Sequence, residues 1–156
     1  MHLAHALMIA AQAGFVGVGA VLTHIDIREH RLPNRILAPA TFALLALAVL
    51  AALAEGSADL LLRAALGGFV LGGIYLVLRA VSRGGLGGGD VKLAVPVGIV
   101  LAWDGWAALA AGGALAFAVG GLWAAGMIAA RLGTASTHIA FGPCMILGAV
   151  GGLALT

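Results

Sequence analysis

Hydrophobic residues along the chain fall into six long runs separated by short polar segments. The runs predict helices at residues 3–25, 36–54, 60–79, 91–103, 105–130 and 139–155. Most are near the roughly 20 residues that a helix needs to cross a bilayer. Glycines recur inside the runs, and in lipid such small residues let neighbouring helices approach closely. The pattern predicts an all-α membrane protein, a polytopic bundle of about six transmembrane helices.

The composition supports a membrane protein and excludes several other classes. Hydrophobic residues make up 63% of the 156 residues and charged residues 9%, whereas soluble domains have about 45–50% and about 25%. The length predicts one integral-membrane domain over residues 1–156. A single cysteine, Cys144, excludes an internal disulfide and a four-cysteine zinc module. The net charge of +2 is too small and scattered for nucleic-acid binding, so no nucleic-acid partner is expected.

The basic residues predict the orientation of the helices. Seven of the eight Lys and Arg residues lie after the first, third or fifth run: Arg28, Arg31, Arg35, Arg79, Arg83, Lys92 and Arg131. The other segments hold three acidic residues, Glu55, Asp59 and Asp104, with Arg63 as the only basic residue nearby. The positive-inside rule therefore predicts that the basic segments are cytoplasmic and that both termini are extracytoplasmic.

Two of the cytoplasmic segments combine a carboxylate with unusual neighbours. Asp26 follows the first run and precedes Pro33, which predicts a structured turn into the second helix. Asp90 follows five glycines in six positions and directly precedes the fourth run. That run spans only about 20 Å, short of the roughly 30 Å hydrocarbon core. With Trp103 and Trp106 as anchors at the outer interface, Asp90 is expected at the inner interface or slightly beneath it, where ionisable groups are costly and often functional. Two carboxyls facing one site would share a proton, as in aspartic proteases.

Simpler interpretations of both segments remain open. Asp26 is also typical of a basic interfacial loop in which it neutralises Arg28 and Arg31. The glycine-rich segment from Arg83 to Asp90 is also typical of a flexible linker. A phosphate-binding loop is disfavoured, because the Gly-Lys-Ser/Thr ending is missing and a carboxylate directly after the glycines would repel phosphate.

Three motifs together resemble the type IV prepilin peptidases. The first, starting at Asp26, reads Asp-Ile-Arg, three further residues and Leu-Pro-Asn. The second, starting at Gly87, reads Gly-Gly-Gly-Asp-Val-Lys-Leu and contains a Gly-x-Gly-Asp sequence. The third, starting at Phe141, reads Phe-Gly-Pro, four further residues and Gly. The order of the six runs and the polarity of the loops resemble the same family.

The resemblance implies a multi-pass aspartic endopeptidase in the cytoplasmic (inner) membrane of a prokaryote. Its substrates would be prepilins or pilin-like pseudopilins, from which it removes a short basic leader after a glycine, with Asp26 and Asp90 as the catalytic pair. The resemblance implies supporting roles for eight further motif residues: Gly87, Gly89, Lys92, Arg28, Pro33, Asn34, Gly142 and Pro143. It implies no cofactor and no metal. Besides the substrate, the expected partner is membrane lipid.

The compact form looks most like the peptidases of tight-adherence (Flp) pili. Larger family members carry a methyltransferase region with paired Cys-x-x-Cys motifs, and this sequence has no such pair. The residues are therefore expected to form one integral-membrane peptidase domain, and N-methylation of the product is in doubt.

Two other functions stay open alongside the prepilin peptidase. A presenilin-like intramembrane protease shares the Gly-x-Gly-Asp motif, but it pairs this motif with Tyr-Asp, whereas Ile25 precedes Asp26 here. A small transporter or channel could use the two aspartates as proton or cation sites. Such a transporter would favour carboxylates near the middle of the membrane and inverted repeats, and neither is visible in the sequence.

Overall fold

The computed structural model describes residues 2–82, 85–131 and 140–155, which form six α-helices and no strand. The helices are α1 (His2–Glu29), α2 (Asn34–Glu55), α3 (Ala58–Val81), α4 (Gly88–Asp104), α5 (Trp106–Ala129) and α6 (Gly142–Ala154). The predicted all-α class is confirmed. Four helices, α1, α2, α3 and α5, are long and apolar enough to cross a membrane. The other two are shorter, with 17 residues in α4 and 13 in α6.

The short helix α4 forms the centre of the bundle. From Leu93 to Trp103 every residue except Val95 is buried, and α3, α6, α5 and α2 pack against it. The outer helices instead present large apolar side chains outward, such as Phe42, which is 72% exposed, and Phe69, which is 80% exposed. Apolar surface of this kind is stable in hydrocarbon and unfavourable in water. The protein is therefore a multi-pass membrane protein.

Glycines bring α3 and α4 into backbone contact. A Cβ added at Gly67 would lie 2.6 Å from the carbonyl oxygen of Gly98, and a Cβ at Gly98 would clash with the Gly67 carbonyl group. The pair α5 and α6 packs in the same way, since a Cβ at Gly148 would lie 2.6 Å from the Gly112 carbonyl oxygen. Small residues at helix contacts are a common feature of membrane bundles, because dispersion forces grow as backbones approach.

Helix boundaries differ from the predicted ones by one to four residues, and two of these differences concern the aspartates. Helix α1 continues to Glu29 rather than ending at residue 25, so Asp26 lies inside the helix. It ends because His30 adopts a left-handed conformation with φ 51°, while its N–H still donates to the Asp26 carbonyl at 2.9 Å. Helix α4 begins at Gly88 rather than at residue 91, so Asp90 lies in its first turn. Both helices extend beyond their apolar runs by polar or glycine residues, which hydropathy alone does not assign to a helix.

A few sequence predictions fall outside the described residues. They concern Arg83 and Gly84 in the glycine-rich segment, and residue 139, the predicted start of the sixth helix; Ala140 and Phe141 are described and precede the helix, which begins at Gly142. Between the fourth and fifth runs, α4 and α5 are separated by one residue. Gly105 occupies this break with φ 154° and ψ 171°, a conformation that is almost restricted to glycine.

Substituting Gly98 with alanine is expected to destabilise the protein. The added methyl group would meet the backbone of α3, which cannot move aside as a flexible side chain can. Overpacking of this kind costs about 1–3 kcal/mol. Gly73→Ala is the matched control on α3, because a Cβ there has no atom within 4 Å. Thermal unfolding in detergent should show a lower Tm for Gly98→Ala only, and equal Tm values would contradict the tight α3–α4 contact.

Candidate active site

Three segments that are far apart in sequence meet at one end of the bundle and enclose a cavity of about 450 Å³. They are the end of α1 with the following turn, the glycine-rich segment with the start of α4, and the two residues that precede α6. The cavity is lined by Asp26, His30, Arg31, Leu32, Asn34, Gly85, Gly87, Gly88, Gly89, Asp90, Lys92, Ala140 and Phe141. The first two sequence motifs and the start of the third thus contribute to one site.

Asp26 lies in the last turn of α1, and only 5% of its surface is exposed. Its Oδ2 accepts a hydrogen bond of 3.1 Å from the backbone N–H of Gly142, the first residue of α6. Helix N-termini favour carboxylates because their first N–H groups lack partners within the helix. A Cβ at Gly142 would lie 2.7 Å from this Oδ2, so the carboxylate occupies the space that a side chain would need.

Asp90 has an equivalent environment at the start of α4, with 7% of its surface exposed. Its Oδ2 accepts a hydrogen bond of 3.1 Å from the backbone N–H of Gly87, the residue that precedes the helix. Gly87 has φ −64° and ψ 145°, which any residue can adopt. A Cβ at this position would lie 2.9 Å from Oδ2. Gly87 is therefore required for the close approach of the carboxylate rather than for an unusual backbone conformation.

The two aspartates share a setting that no other described charged residue has. In the part of the chain that the structure describes, Asp26 and Asp90 are the only acidic or basic residues that are buried. Both line the same cavity, and they are near enough for the charge of Asp26 to act on Asp90. Two negative charges so placed are unfavourable, and a single shared proton relieves the repulsion. The arrangement can hold one carboxyl protonated while the other is ionised.

Leu32 fills the space between the two aspartate-bearing motifs. Its side chain is buried, and a Cβ at Gly89 would lie 2.9 Å from the Leu32 Cβ. The other end of the same side chain approaches Gly142, where an added Cβ would lie 3.6 Å from a Leu32 methyl group. Gly89 thus gives Leu32 room to pack against the backbones of α4 and α6. This packing fixes the turn after α1 against both helices whose N-termini hold a carboxylate.

Lys92 and Asn34 connect the first two motifs at the rim of the cavity. The Lys92 Nζ donates a 3.0 Å hydrogen bond to Asn34 Oδ1, so the Lys92 side chain is directed to α2. Pro33 precedes α2, and its carbonyl accepts the first N–H bonds of that helix. Arg28 is exposed and does not line the cavity. Arg28, like Pro33 and Pro143, is therefore a predicted supporting residue that does not line the cavity.

The start of α6 is held by aromatic packing. The ring of Phe141 lies 6.0 Å from that of Tyr75 and 5.5 Å from that of Phe117, measured between centroids. Gly120 provides the space, since a Cβ there would lie 2.5 Å from the Phe141 ring. Pro143 is buried in the first turn of α6, where its missing N–H costs no helical hydrogen bond. Together these residues place the Gly142 N–H toward Asp26.

Arg79 is a residue near the site that the motifs do not include. Its guanidinium donates a 3.2 Å hydrogen bond to the Leu86 carbonyl, and its positive charge acts on Asp90. A Cβ at Gly88 would lie 2.8 Å from an Arg79 nitrogen, so the guanidinium packs on the start of α4. The only sequence signal for this role is its position in the last turn of α3, directly before the glycine-rich segment.

Metal ligands do not cluster among the described residues, where no group of three His, Cys, Asp or Glu side chains is close enough to hold an ion. Cys144 is buried in α6 with 1% of its surface exposed. His24, a residue near Asp26 in sequence, is exposed and does not line the cavity, whereas His30 does. That the site works without a metal or a cofactor stays a prediction.

Comparison with known proteins identifies a family. The model of the type IV leader peptidase family matches residues 13–125, more than half of the chain, and this range includes both aspartates. No curated protein and no solved structure matches the chain. The resemblance that the sequence motifs predict is thereby confirmed at the level of the family. The chain is a member of the type IV leader peptidase family, and hence a membrane-embedded peptidase.

Proposed function

We propose that the protein is an aspartic endopeptidase of the prokaryotic cytoplasmic membrane that removes the short basic leader from prepilins or pilin-like proteins, cutting after a glycine. The observation that carries this proposal is the pair of buried carboxyls, Asp26 and Asp90, on one cavity. Membership of the leader peptidase family supports the substrate class. The catalytic roles of the two residues are part of the proposal.

The chemistry follows from the sharing of one proton between the carboxyls. The ionised carboxylate takes a proton from a water molecule while the water oxygen attacks the scissile carbonyl carbon. The protonated carboxyl donates its proton to the carbonyl oxygen, which gives a tetrahedral diol. The carboxyl that took the proton from water then passes it to the nitrogen, while the other carboxylate takes a proton back from the diol and the C–N bond breaks. The products are a free carboxyl group and a free amine, and the pair again holds one proton. One water molecule is consumed, and no metal or cofactor is required.

The position of the cavity at one end of the bundle supports cleavage at a membrane surface. Asp26 lies in the last turn of α1 and Asp90 in the first turn of α4, so both lie near helix ends. A transporter that used them as ion sites would place them near the middle of the helices. The basic residues near the cavity, which include Arg31 and Lys92, support a cytoplasmic location for this end. The basic leader would then face the cytoplasm.

Replacing either aspartate with asparagine is expected to abolish cleavage. Asparagine has nearly the same shape but cannot exchange the proton, and loss of general acid or base catalysis costs roughly 10²- to 10⁴-fold in rate. The measurement is cleavage of a prepilin by the purified protein in detergent, with the cut bond identified by mass spectrometry. Asp59→Asn is the matched control, because Asp59 is exposed at the start of α3.

Full activity of Asp26→Asn or Asp90→Asn would contradict the proposed mechanism. A protein that cleaves no prepilin but conducts protons or cations in liposomes, with both variants inactive in that assay, would instead support the transporter. A cut within the apolar helix of the substrate would support the presenilin-like alternative.

Placing a methyl group on the glycine that donates to either carboxylate is expected to slow turnover. In Gly142→Ala the new Cβ would lie 2.7 Å from Asp26 Oδ2, and in Gly87→Ala it would lie 2.9 Å from Asp90 Oδ2. The carboxylate must therefore shift, and a misplaced catalytic group costs up to about 10²-fold in rate. Kinetics should show a lower kcat with little change in KM. Gly121→Ala, with no atom within 4 Å of its Cβ, should behave as the unmodified enzyme.

Cleavage is expected to survive chelation of metals. A carboxyl pair needs no metal ion to activate water, whereas a metallopeptidase loses its attacking hydroxide when the metal is removed. The measurement is the rate of prepilin cleavage after incubation with EDTA and dialysis. Loss of activity that zinc restores would overturn the aspartic mechanism, even if the aspartate variants were inactive.

A further inference from the structure

An apolar groove of about 140 Å³ lies between α1, α2 and α4, adjacent to the cavity with the aspartates. Its deepest part is formed by buried side chains, among them Leu22, Leu37 and Leu93. Its outer rim consists of small residues, with Ala10 and Gly14 on α1 and Ala43 on α2. These three rim residues are exposed, so the groove is open toward the surrounding lipid.

The groove continues the cavity along each of its three helices. Leu22 lies one turn before Asp26 on α1, and Leu93 lies one turn after Asp90 on α4. On α2, Leu37 lies one turn after Asn34, which lines the cavity. Each helix thus lines the polar cavity at its end and the apolar groove in its next turn. A chain with one peptide bond between the carboxyls would pass directly from the cavity into the groove.

The dimensions of the groove suit one face of a helix. From Leu22 to Ala10 it follows α1 for about 18 Å, which is about three turns of a helix lying alongside. At about 140 Å³ the groove has room for side chains from one face of a helix, but not for a whole helix. A Cβ at Gly14 would have no atom within 4 Å, so the rim leaves room for a neighbouring backbone. Small residues in such a position favour close packing of a second membrane helix.

We propose that this groove binds the apolar helix that follows the scissile bond in the substrate. The inference rests on the proposed peptidase function and adds the surface that holds the substrate in the membrane. A prepilin supplies an apolar helix directly after its cut site, and the groove begins one turn from each aspartate. A lipid acyl chain could also contact apolar side chains, but it has no peptide bond to place in the cavity.

A second apolar cavity, of about 370 Å³, is the alternative surface. It is lined only by residues of α3 and α5, among them Ile74, Trp106 and Phe117. None of its lining residues belongs to α1, α2 or α4, so it does not continue the aspartate cavity. A substrate helix bound there would have to cross the bundle to reach the carboxyls.

The test fills the groove and compares two substrates. Gly14→Leu places a side chain in the groove without displacing any atom near its Cβ. Ala43→Leu fills the groove from α2, where Ala43 is exposed. Gly121→Leu is the control, because Gly121 is exposed on α5 and a Cβ there is equally unobstructed. The substrates are a full-length prepilin that the unmodified enzyme cleaves, and a peptide of that prepilin that ends shortly after the cut site.

Both groove variants should raise KM for the full-length prepilin by about tenfold, the effect of losing one buried apolar side chain, and leave kcat unchanged. Their kinetics on the short peptide should equal those of the unmodified enzyme. Gly121→Leu should match the unmodified enzyme on both substrates. A photoreactive residue in place of Ala43 should cross-link to the prepilin helix.

Three outcomes would overturn the inference. Unchanged KM for the prepilin in both folded groove variants would exclude this docking surface while leaving the peptidase function intact. An equal rise in KM, or an equal fall in kcat, for the prepilin and for the short peptide would show damage to the aspartate cavity instead. Cross-linking to lipid alone would assign the groove to an acyl chain. If the unmodified enzyme cleaves no prepilin, the proposed function itself fails, and the groove proposal fails with it.

Discussion

A carboxylate can remain in the interior of an apolar bundle only when its oxygens accept hydrogen bonds from nearby donors. Asp26 and Asp90 each obtain a donor from the backbone at the start of a helix. In both cases the donor is a glycine, because a side chain on that residue would collide with the carboxylate. Gly142 and Gly87 therefore make the burial of the two acids possible. The cavity and its proposed chemistry depend on these two hydrogen bonds.

The donor to Asp26 belongs to a residue 116 positions away in sequence, so this hydrogen bond requires that the whole bundle be correctly packed. Helix α6 is held against α5 by the close approach of Gly148 to Gly112, and its first turn is held by the ring of Phe141. The glycines between α5 and α6 thus affect the position of the Gly142 N–H, although they do not line the cavity. A change that separates α5 from α6 would remove the Gly142 N–H from Asp26 without altering any residue of the cavity.

The sequence motifs predict that both aspartates lie at one site, and several other motif residues line the same cavity. These residues lie close to helix ends, so a short motif contains each aspartate together with its neighbours. Arg28 shows the limit of this reasoning. Read as part of a loop, it lies beside Asp26, but α1 continues through it, and two residues along a helix turn the side chain by about 200° to the opposite face. The bond from Lys92 to Asn34 and the contacts of Arg79 depend on the packing of separate helices, which sequence spacing does not encode.

The position of Asp90 along the bundle also depends on contacts at the other end of α4. There, Arg63 donates hydrogen bonds to the carbonyls of Ala102 and Trp103, and Gln12 donates to Asp104. These contacts fix the end of α4, whose 17 residues span about 25 Å against the roughly 30 Å of a hydrocarbon core. Asp90 lies at the opposite end of this short helix, and the contact of Gly98 with the α3 backbone fixes the position of the helix along the bundle. A pair of carboxyls at the end of a bundle, rather than at its middle, favours the proposed removal of a leader over cleavage within the apolar helix of a substrate.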